Sequence, residues 1–304
     1  YGPISRLHDK IKGVEGANSS GANLVSFNAT AYSFQGKAQS YNAPVSEKAA
    51  FGYATALNHL LRDEKTNRQR LQIGDASTVF WAEAKTREEA QSSEFLFNDM
   101  WNTYVGQAED ADDSQESERI KNALEIVAKG KPVDEVIPGL NADTRIYILG
   151  LSAPSNARLA VRFWETATIS KFASKLAFHY QDFLITPFRR QSFPSILSFL
   201  CQLTNYERVP SKKDYPEEFK KMIKEIPSNI GSDFTLSILR GTRYPRSLLN
   251  KVIQRIRKDG RINDLRVAMC RGVLARDYRL GFYSTAKEIP VSLDKDNTNP
   301  GYLL

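Results

Sequence analysis

Residues 238–279 read ILRGTRYPRSLLNKVIQRIRKDGRINDLRVAMCRGVLARDYR. From near Pro245, apolar residues recur at the spacing of an α-helix, which predicts a surface helix with one apolar face. That face consists of Leu248, Leu249, Val252, Ile253 and Ile256. Lys251, Arg255 and Lys258 lie on the opposite face, at positions i, i+4 and i+7. The stretch therefore predicts a helical region with a basic surface.

Basic residues are concentrated in this stretch. Between Arg240 and Arg279, twelve lysines and arginines stand against three aspartates, whereas the whole chain of 304 residues has a net charge of +7. The remainder of the chain is therefore slightly acidic, and the basic charge is local. Local charge of this kind indicates a polyanionic partner, most simply nucleic acid. Charges that are merely solvated are the alternative, which the large excess of basic residues disfavours.

The turn before the helix adds three arginines. Arg240, Arg243 and Arg246 recur at every third residue, and their guanidinium groups can form paired hydrogen bonds with phosphates. Tyr244 is placed to stack on a base. Together with Lys251, Arg255 and Lys258 they form a predicted track for nucleic-acid phosphates, which positions a strand without reading its sequence. Binding the acidic face of a neighbouring protein is the competing interpretation.

A second candidate lies near the start of the chain, in a polar segment punctuated by glycines. Asparagine and lysine side chains can hydrogen-bond base edges in a DNA groove, and a plain solvated loop is an equally good interpretation. The candidate residues are Lys12, Asn18, Ser19, Ser20, Asn23, Asn28 and Lys37.

The first half of the chain alternates between strand and helix patterns. Alternation over residues 25–30 predicts a short strand, and Pro44 and Ser46 predict the start of a helix that runs to about Arg62. Residues 71–82 are typical of either a strand pair or a single bent strand around Gly74 and Asp75. Residues 145–151 and 158–164, joined by SAPSNA, predict a hairpin. Later patterns predict helices over 172–183, 196–203 and 219–226.

These patterns predict an α+β protein: a mixed region with short strands and a hairpin, followed by a mainly α-helical basic region. We expect a mixed region over residues 1–140, with an acidic loop near 109–118 that leads into a helix marked by Ile120, Leu124 and Val127. A hairpin plus helix over 141–191 and a helical basic region over 192–304 follow. With 41% hydrophobic residues, the chain can bury a core in about two domains.

Several classes of protein are disfavoured. No run of about 18 apolar residues and no signal peptide is visible, so we expect a cytoplasmic protein without a membrane partner. Cys201 and Cys270 are too few and too far apart for a disulfide framework and are predicted to be buried free thiols. Because the first residue is Tyr1 and the end reads NTNPGYLL, we expect a fragment of a longer chain.

Catalytic patterns are weak. The histidines His8, His59 and His179 are scattered, and no hydrolase, zinc-peptidase or nucleotide-binding motif occurs. Asp9 and Asp75 have no visible carboxylate partner for two-metal chemistry. The sequence therefore predicts no catalytic residue, no metal and no cofactor, and a metal-dependent nuclease is the unsupported alternative.

Strings spread from about Lys12 to Leu304 resemble one known family, the large subunit of the type I-C CRISPR Cascade surveillance complex. Relative to that family, the chain lacks an N-terminal portion and the C-terminal helical part, which the family also makes separately as a small subunit. The strings are IKGVEGANSSGANLVSFNA, NAPVSEKAAFGYATALNHLL, STVFWAE, LGLSAPSNARLAVRFW, LRGTRYPRSLLNKVIQRIR and NTNPGYLL.

The resemblance implies a non-catalytic, nucleic-acid-binding subunit in the cytoplasm of a prokaryote. Its expected partners are CRISPR RNA (crRNA), double-stranded target DNA, the backbone, handle-binding and small subunits, and the helicase-nuclease. Its expected roles are protospacer-adjacent-motif recognition, DNA opening with R-loop stabilisation, and helicase-nuclease recruitment in antiviral defence. A scaffold that contacts only protein and crRNA stays open as an alternative.

Overall fold

The computed structural model divides the chain into two compact units, Tyr1–Glu94 with Arg145–Thr166, and Phe95–Thr144 with Ala167–Leu304. The predicted boundaries near 140 and 191 stay predictions, and the acidic loop at 109–118 and the NTNPGYLL end lie outside the described residues. The side chains of 102–105 and of Ser228 also lie outside them. The described residues are 2–64, 67–73, 76–105, 122–123, 126–127, 131, 135, 141–185, 194–211 and 214–282.

The first unit is built around an antiparallel sheet whose strands follow one another in the order of the sequence. Its strands are β1 (Arg70–Ile73), β2 (Ala76–Glu83), β3 (Arg145–Ser155) and β4 (Arg158–Thr168). The pairing of β2 with β3 runs from Ser77 opposite Leu151 to Glu83 opposite Arg145. The predicted strand pair over 71–82 is confirmed in its described residues, and Gly74 and Asp75 lie outside them.

Helix α1 (Glu47–Leu60) covers one face of this sheet. The Ser46 hydroxyl accepts a hydrogen bond from the Ala49 amide, which confirms Ser46 as the residue that caps the helix start. The core beneath α1 includes Ile11, Ala22, Leu57, Leu61, Val79, Leu149, Leu151 and Leu159. Residues from the N-terminal segment, from α1 and from three strands thus pack in one apolar cluster.

The predicted strand over 25–30 is wrong. Residues 25–28 form no strand, and the segment pairs only through isolated bridges, Ile11 with Ala22 and Asn23 with Arg158. The short polar side chains that alternate here compete for backbone hydrogen bonds and favour turns. The segment continues as 3-10 turns at Thr30–Tyr32 and Gln39–Asn42.

The hairpin of β3 and β4 is confirmed, with longer strands than predicted. Residues 152–155 of the predicted link continue β3, and Asn156 and Ala157 alone form the turn. Along β4, Leu159 packs in the core under α1, whereas Phe163 lies against Gly150 on the other side of the sheet. Val161 and Arg162 are both exposed, so the alternation of faces shifts between them.

The second unit is helical in its described parts. Its helices are the C-terminal portion of α2 (Arg87–Val105), then α3 (Ile169–Phe183), α4 (Ile196–Cys201), α5 (Pro216–Glu225), α6 (Ser228–Arg240), α7 (Arg246–Asp259) and α8 (Asp264–Arg279). The predicted helices around residues 172–183, 196–203, 219–226 and 246–258 are confirmed, and α2 and α6 were not predicted. Pro216 and the acidic first turn begin α5 as expected.

An aromatic cluster fills the centre of the second unit. The rings of His179, Phe183, Phe199, Phe234 and Tyr244 pack together, with Phe183 and Phe199 at 4.8 Å between centroids. Gly272 of α8 lies against Phe183, where a Cβ would overlap the ring. Close approach of α8 to α3 therefore depends on this glycine.

Strands and helices together make the fold α+β, as predicted. Cys201 is buried and Cys270 half-buried, and both are free thiols. Burial raises the pKa of each thiol to about 11, so both are protonated and unreactive at neutral pH. No helix in the described part of the chain is long and apolar enough to cross a membrane.

Replacing Gly150 with alanine should destabilise the protein by about 1–3 kcal/mol, because the new methyl group overlaps the buried ring of Phe163. Urea unfolding followed by tryptophan fluorescence measures the effect. Gly52→Ala is the matched control, since Gly52 lies in α1 with nothing within 4 Å of an added Cβ, and it should stabilise by about 0.5–1 kcal/mol. Equal effects of the two substitutions would contradict the packing of Phe163 on Gly150.

Candidate nucleic-acid interface

The predicted helix of the basic stretch is α7. Leu248 and Val252 are fully buried, and Leu249, Ile253 and Ile256 are half-buried, so the predicted apolar face is the one that packs. Gly260 ends the helix with φ +65, a left-handed conformation that glycine adopts without a steric cost. The helix therefore holds its polar side chains at fixed positions on the surface.

The arginines in the turn before α7 converge on one carboxylate. Asp277 of α8 is buried and accepts two hydrogen bonds from Arg243, at 2.7 and 2.9 Å. Arg246 also pairs with Asp277, at 3.0 Å between Nη2 and Oδ2. The guanidinium of Arg243 lies 3.8 Å from the centre of the Phe282 ring. These two predicted phosphate ligands thus also tie the turn to α8, while Arg246 remains half-exposed at its side chain.

A second buried carboxylate is that of Asp182 in α3. It pairs with the fully buried Arg276 at 2.5 Å and with Arg279 at 2.8 Å. Arg276 also donates to the hydroxyl of Tyr244 and to the carbonyl of Thr242. A buried guanidinium requires a carboxylate partner, because an unpaired charge in the interior costs several kcal/mol. Arg276 and Arg279 therefore serve the packing of the unit.

Tyr244 is not a base-stacking residue. Its side chain is 2% exposed, and its ring packs among His179, Phe183 and Phe234. Burial raises its pKa well above 10, so the hydroxyl stays protonated and can donate. The sequence interpretation failed here because the ring follows an arginine in a turn, a pattern that does not distinguish a surface ring from one directed inward.

The twelve basic residues do not all contribute surface charge. Arg266 and Arg276 are buried. Four more arginines pair with aspartates: Arg243, Arg246, Arg255 and Arg279. One of these aspartates, Asp182, lies outside the stretch and was not in the count of three acidic residues. The interpretation of the whole excess as a basic surface is wrong to that extent. That these arginines bind phosphates stays a prediction.

The polar face of α7 divides into two parts. Arg255 turns towards Asp259, at 2.8 Å, and towards the amide oxygen of Asn205, at 3.0 Å. Lys251 is half-buried and Lys258 exposed, and within the described residues neither has an ion pair or hydrogen bond. Arg257 is exposed beside them. Arg240 lies exposed at the end of α6. Lys251, Arg257 and Lys258 are together called the α7 cation surface below.

The N-terminal candidates lie in the other unit. Gly13 has φ +81, and a Cβ there would lie 2.5 Å from the carbonyl oxygen of Leu61, so the loop that carries Lys12 is fitted to the end of α1. The Lys12 amide donates to Asn58 Oδ1. Lys12 and Lys37 are exposed. Asn18, Ser19 and Ser20 lie exposed at the tip of this loop, which a backbone hydrogen bond from Asn18 ties to Asn156.

The remaining asparagines of this segment lie beside the β3–β4 turn. The backbone of Asn23 bonds to Ala157 and Leu159, at 3.0 and 2.9 Å. The side chain of Asn28 accepts a hydrogen bond from Arg158 at 2.8 Å. Arg158 in turn lies 5.3 Å from the ring of Tyr32. The structure therefore brings Asn18, Asn23 and Asn28 together at one edge of the first unit.

Two features of this edge were missed. Arg158 was not among the candidate site residues, although a basic residue beside a predicted turn is a signal that was available. Tyr32 and Phe34 are exposed aromatic side chains, at 47% and 68%. Their alternation with Ser33 and Gln35 gave no indication that they lie on a turn. The N-terminal candidates lie in the first unit and the basic stretch lies in the second, so they are two separate candidate sites.

In the described ranges, no group of three histidine, cysteine or acidic residues is placed to hold a metal ion. His8 bonds to the hydroxyl of Tyr53, and His179 to that of Tyr244. Burial lowers the pKa of His179 well below 6.5, and the nearby charge of Arg276 lowers it further. His179 is therefore neutral and structural at physiological pH.

The state of His179 predicts acid sensitivity. Its folded pKa lies below the value of about 6.5 that the unfolded chain has, so acid protonates the unfolded state preferentially. The contribution of neutral His179 to the free energy of unfolding is complete above pH 6.5. It is lost as the pH falls, at up to about 1.4 kcal/mol per pH unit. In urea unfolding at pH 7 and pH 5, His179→Gln should show a smaller loss on acidification than the wild-type protein.

His59→Gln is the control for this experiment, because His59 is exposed on α1. It should leave the difference between pH 7 and pH 5 unchanged. A wild-type pH dependence in the His179→Gln protein would show that other groups cause the acid sensitivity, among them His8, whose pKa burial also lowers.

The family model described as "CRISPR-associated protein (Cas_Csd1)" matches residues 1–304, which is the whole chain. No curated protein matches the chain. The match agrees with the coarse content of the sequence resemblance, a CRISPR-associated protein of the Cascade type, and leaves the finer assignment to type I-C as a hypothesis.

Proposed function

The chain belongs to the CRISPR-associated Cas_Csd1 family, and on this premise we propose that it is a non-catalytic, nucleic-acid-binding large subunit of a type I-C surveillance complex. In this role it works with crRNA, double-stranded target DNA and the other Cascade subunits in the prokaryotic cytoplasm. It supports recognition of the protospacer-adjacent motif, stabilises the R-loop and recruits the helicase-nuclease in antiviral defence.

The physical demands of RNA-guided recognition fit such a division of labour. Base pairing with the guide reads the sequence, and the formation of the heteroduplex roughly balances the loss of the DNA duplex. Protein contacts therefore decide whether the first base pairs open. Phosphate neutralisation lowers that cost, and contacts to the adjacent motif restrict opening to the correct sites.

The observation that carries the proposal is the family match, and the α7 cation surface supports its nucleic-acid part. Lys251, Arg257 and Lys258 lie on a helix whose opposite face is buried, so a phosphate meets cations that are already in place. Arg257 and Lys258 also lie in the last turn of α7, where positive charge stabilises the helix itself. Mutagenesis has to separate these two effects.

The edge formed by Asn18, Asn23, Asn28 and Arg158 is the proposed motif reader. The side-chain oxygen of Asn28 accepts a hydrogen bond from Arg158, and the amide nitrogen of Asn28 makes no hydrogen bond to the described residues. That nitrogen can donate to an acceptor on a base edge. Lys12 and Lys37 supply exposed positive charge in the same unit for neighbouring phosphates.

Reversing charge on the α7 cation surface should weaken DNA binding without regard to sequence. We expect Lys251→Glu with Lys258→Glu, in the assembled complex, to lower the affinity for target duplex by about tenfold or more. The slope of log affinity against log salt should fall by about 1.8, for two lost phosphate contacts. Arg255 stays unchanged in this variant, since its pair with Asp259 is part of the fold.

Lys221→Glu with Lys224→Glu is the matched control, because both lysines are exposed on α5 and the charge change is the same. Assembly of the complex is measured in parallel. If the α7 variant assembled poorly but the complexes that formed bound DNA as the wild type does, the surface would be assigned to an acidic neighbouring subunit. That result would favour the scaffold alternative. Magnesium-dependent cleavage by the purified protein would instead favour the nuclease.

Substituting Asn23 or Asn28 with alanine should alter the preference among adjacent motifs. The backbone pairing of Asn23 does not need its side chain, so Asn23→Ala keeps the edge intact. Asn28→Ala also removes the partner of Arg158, and Arg158→Lys controls for that loss. Binding of the assembled complex to duplexes with a randomised motif is the measurement. A uniform loss over all motifs would make these residues backbone contacts.

A further inference from the structure

A polar cleft of about 970 Å³ lies in the second unit, beside the C-terminal end of α7. One wall is the connection after α4, residues 202 and 205–208, and the other is the end of α7 with the start of α8. The volume is at the upper end of the ~300–1,000 Å³ typical of small-ligand pockets. Nucleotides of a single strand fit such a space, whereas a duplex does not.

The cleft carries a small net positive charge. Arg255 and Arg266 both line it and share one carboxylate, that of Asp259, at 2.8 and 2.7 Å. The hydrogen bond from Arg266 lowers the pKa of Asp259, which keeps it ionised. The Nε atoms of both arginines are buried and have no hydrogen-bond partner among the described residues. One carboxylate therefore does not satisfy the two guanidinium groups.

Two further arginines lie at the rim. Arg208 is exposed, and Arg261 pairs with Glu207 in an ion pair whose side chains are 68% and 72% exposed. Exposed ion pairs are weak and exchange readily, so Arg261 can pass from Glu207 to a phosphate. Asp264 also lines the cleft, in the first turn of α8, where a carboxylate faces free helix amides. The four arginines thus exceed the three acids.

The amide side chains of the cleft are already committed. Asn263 accepts a hydrogen bond from the Arg266 amide and donates to Gln202 at 2.8 Å. Asn205 accepts from Arg255 and donates to Glu225. These bonds occupy a donor and an acceptor of each asparagine and fix the orientation of both amides. A strand in this cleft is therefore bound through its phosphates.

The cleft also offers a surface for a base. Tyr206 lines it, half-buried, and its ring stacks on no other ring of the described chain. Ile262, on the opposite wall, is 73% exposed. A ring and an aliphatic side chain on facing walls suit a base between them, and stacking on an aromatic ring tolerates every base.

We propose that this cleft binds single-stranded nucleic acid independently of sequence, with phosphates at Arg208 and Arg261 and a base against Tyr206. The inference rests on the proposed function in that the ligand is nucleic acid, and it adds a site outside the α7 cation surface. Displaced DNA and crRNA share the chemistry of the phosphodiester strand, and oligonucleotides of each kind distinguish them.

The test uses the full protein and fluorescent 12-nucleotide probes of deoxythymidine and of uridine, with anisotropy measured over a range of salt. Arg208→Ala with Arg261→Ala should weaken binding by about tenfold or more and reduce the salt slope by about 1.4. Tyr206→Ala should weaken binding about tenfold, and Tyr206→Phe should bind as the wild type does. A larger loss with uridine assigns the site to RNA, and a larger loss with deoxythymidine assigns it to DNA.

Lys221→Ala with Lys224→Ala is the matched control and should stay within twofold of the wild type. Normal binding by the cleft variants, with weakened binding by Lys251→Ala and Lys258→Ala, would overturn the cleft and leave the proposed function standing. No binding by the wild-type protein to either probe, or to target duplex in the assembled complex, would overturn both. Binding to a polyglutamate peptide is measured as well. If the cleft variants lost binding to this peptide but bound both oligonucleotides normally, the cleft would be a site for acidic protein, which would overturn the proposal.

Discussion

The helical unit depends on the burial of one ion-paired carboxylate, that of Asp182. Its partner Arg276 has no exposed surface, so neither charge has water to solvate it. Such a pair is tolerated only when each partner is present and the remaining hydrogen-bonding groups are satisfied. Tyr244 and the Thr242 carbonyl supply those groups. The pair thereby fixes α3, α8 and the α6–α7 turn to one another.

This constraint changes what the basic stretch means. An arginine that neutralises a buried carboxylate contributes little to the outer field, because its charge is compensated locally. The two aspartates that matter most, Asp182 and Asp277, pair with four arginines and so compensate two of their four charges. Within the stretch, the exposed cations include Arg240, Arg246, Arg257, Lys258 and Arg261, and Lys251 is half-buried. Charge in the sequence therefore overstates charge at the surface.

Elements whose apolar residues recur at a regular spacing were predictable from the sequence, whereas helix α6 was not. Ser46, the β3–β4 turn and the apolar stripe of α7 each follow from local rules of capping and periodicity. Helix α6 escaped because Gly231, Thr235 and Ser237 are buried together with its apolar residues, which erases the helical alternation. The pairing of Asp182 with Arg276 joins residues 94 positions apart, and no local pattern contains that information.

The same limit explains why the cleft was not found in the sequence. Its walls come from two connections, and only Arg255 among its residues stood out beforehand, as one of a row on a helix. Packing separates that row: Arg255 turns to Asn205 and Asp259, while Lys251 and Lys258 stay outside. Because the amides of Gln202, Asn205 and Asn263 already make hydrogen bonds within the protein, the cleft offers charge and a ring rather than a dedicated reader of bases. A protein whose guide supplies the sequence information needs no more than that from the surface that holds the strand.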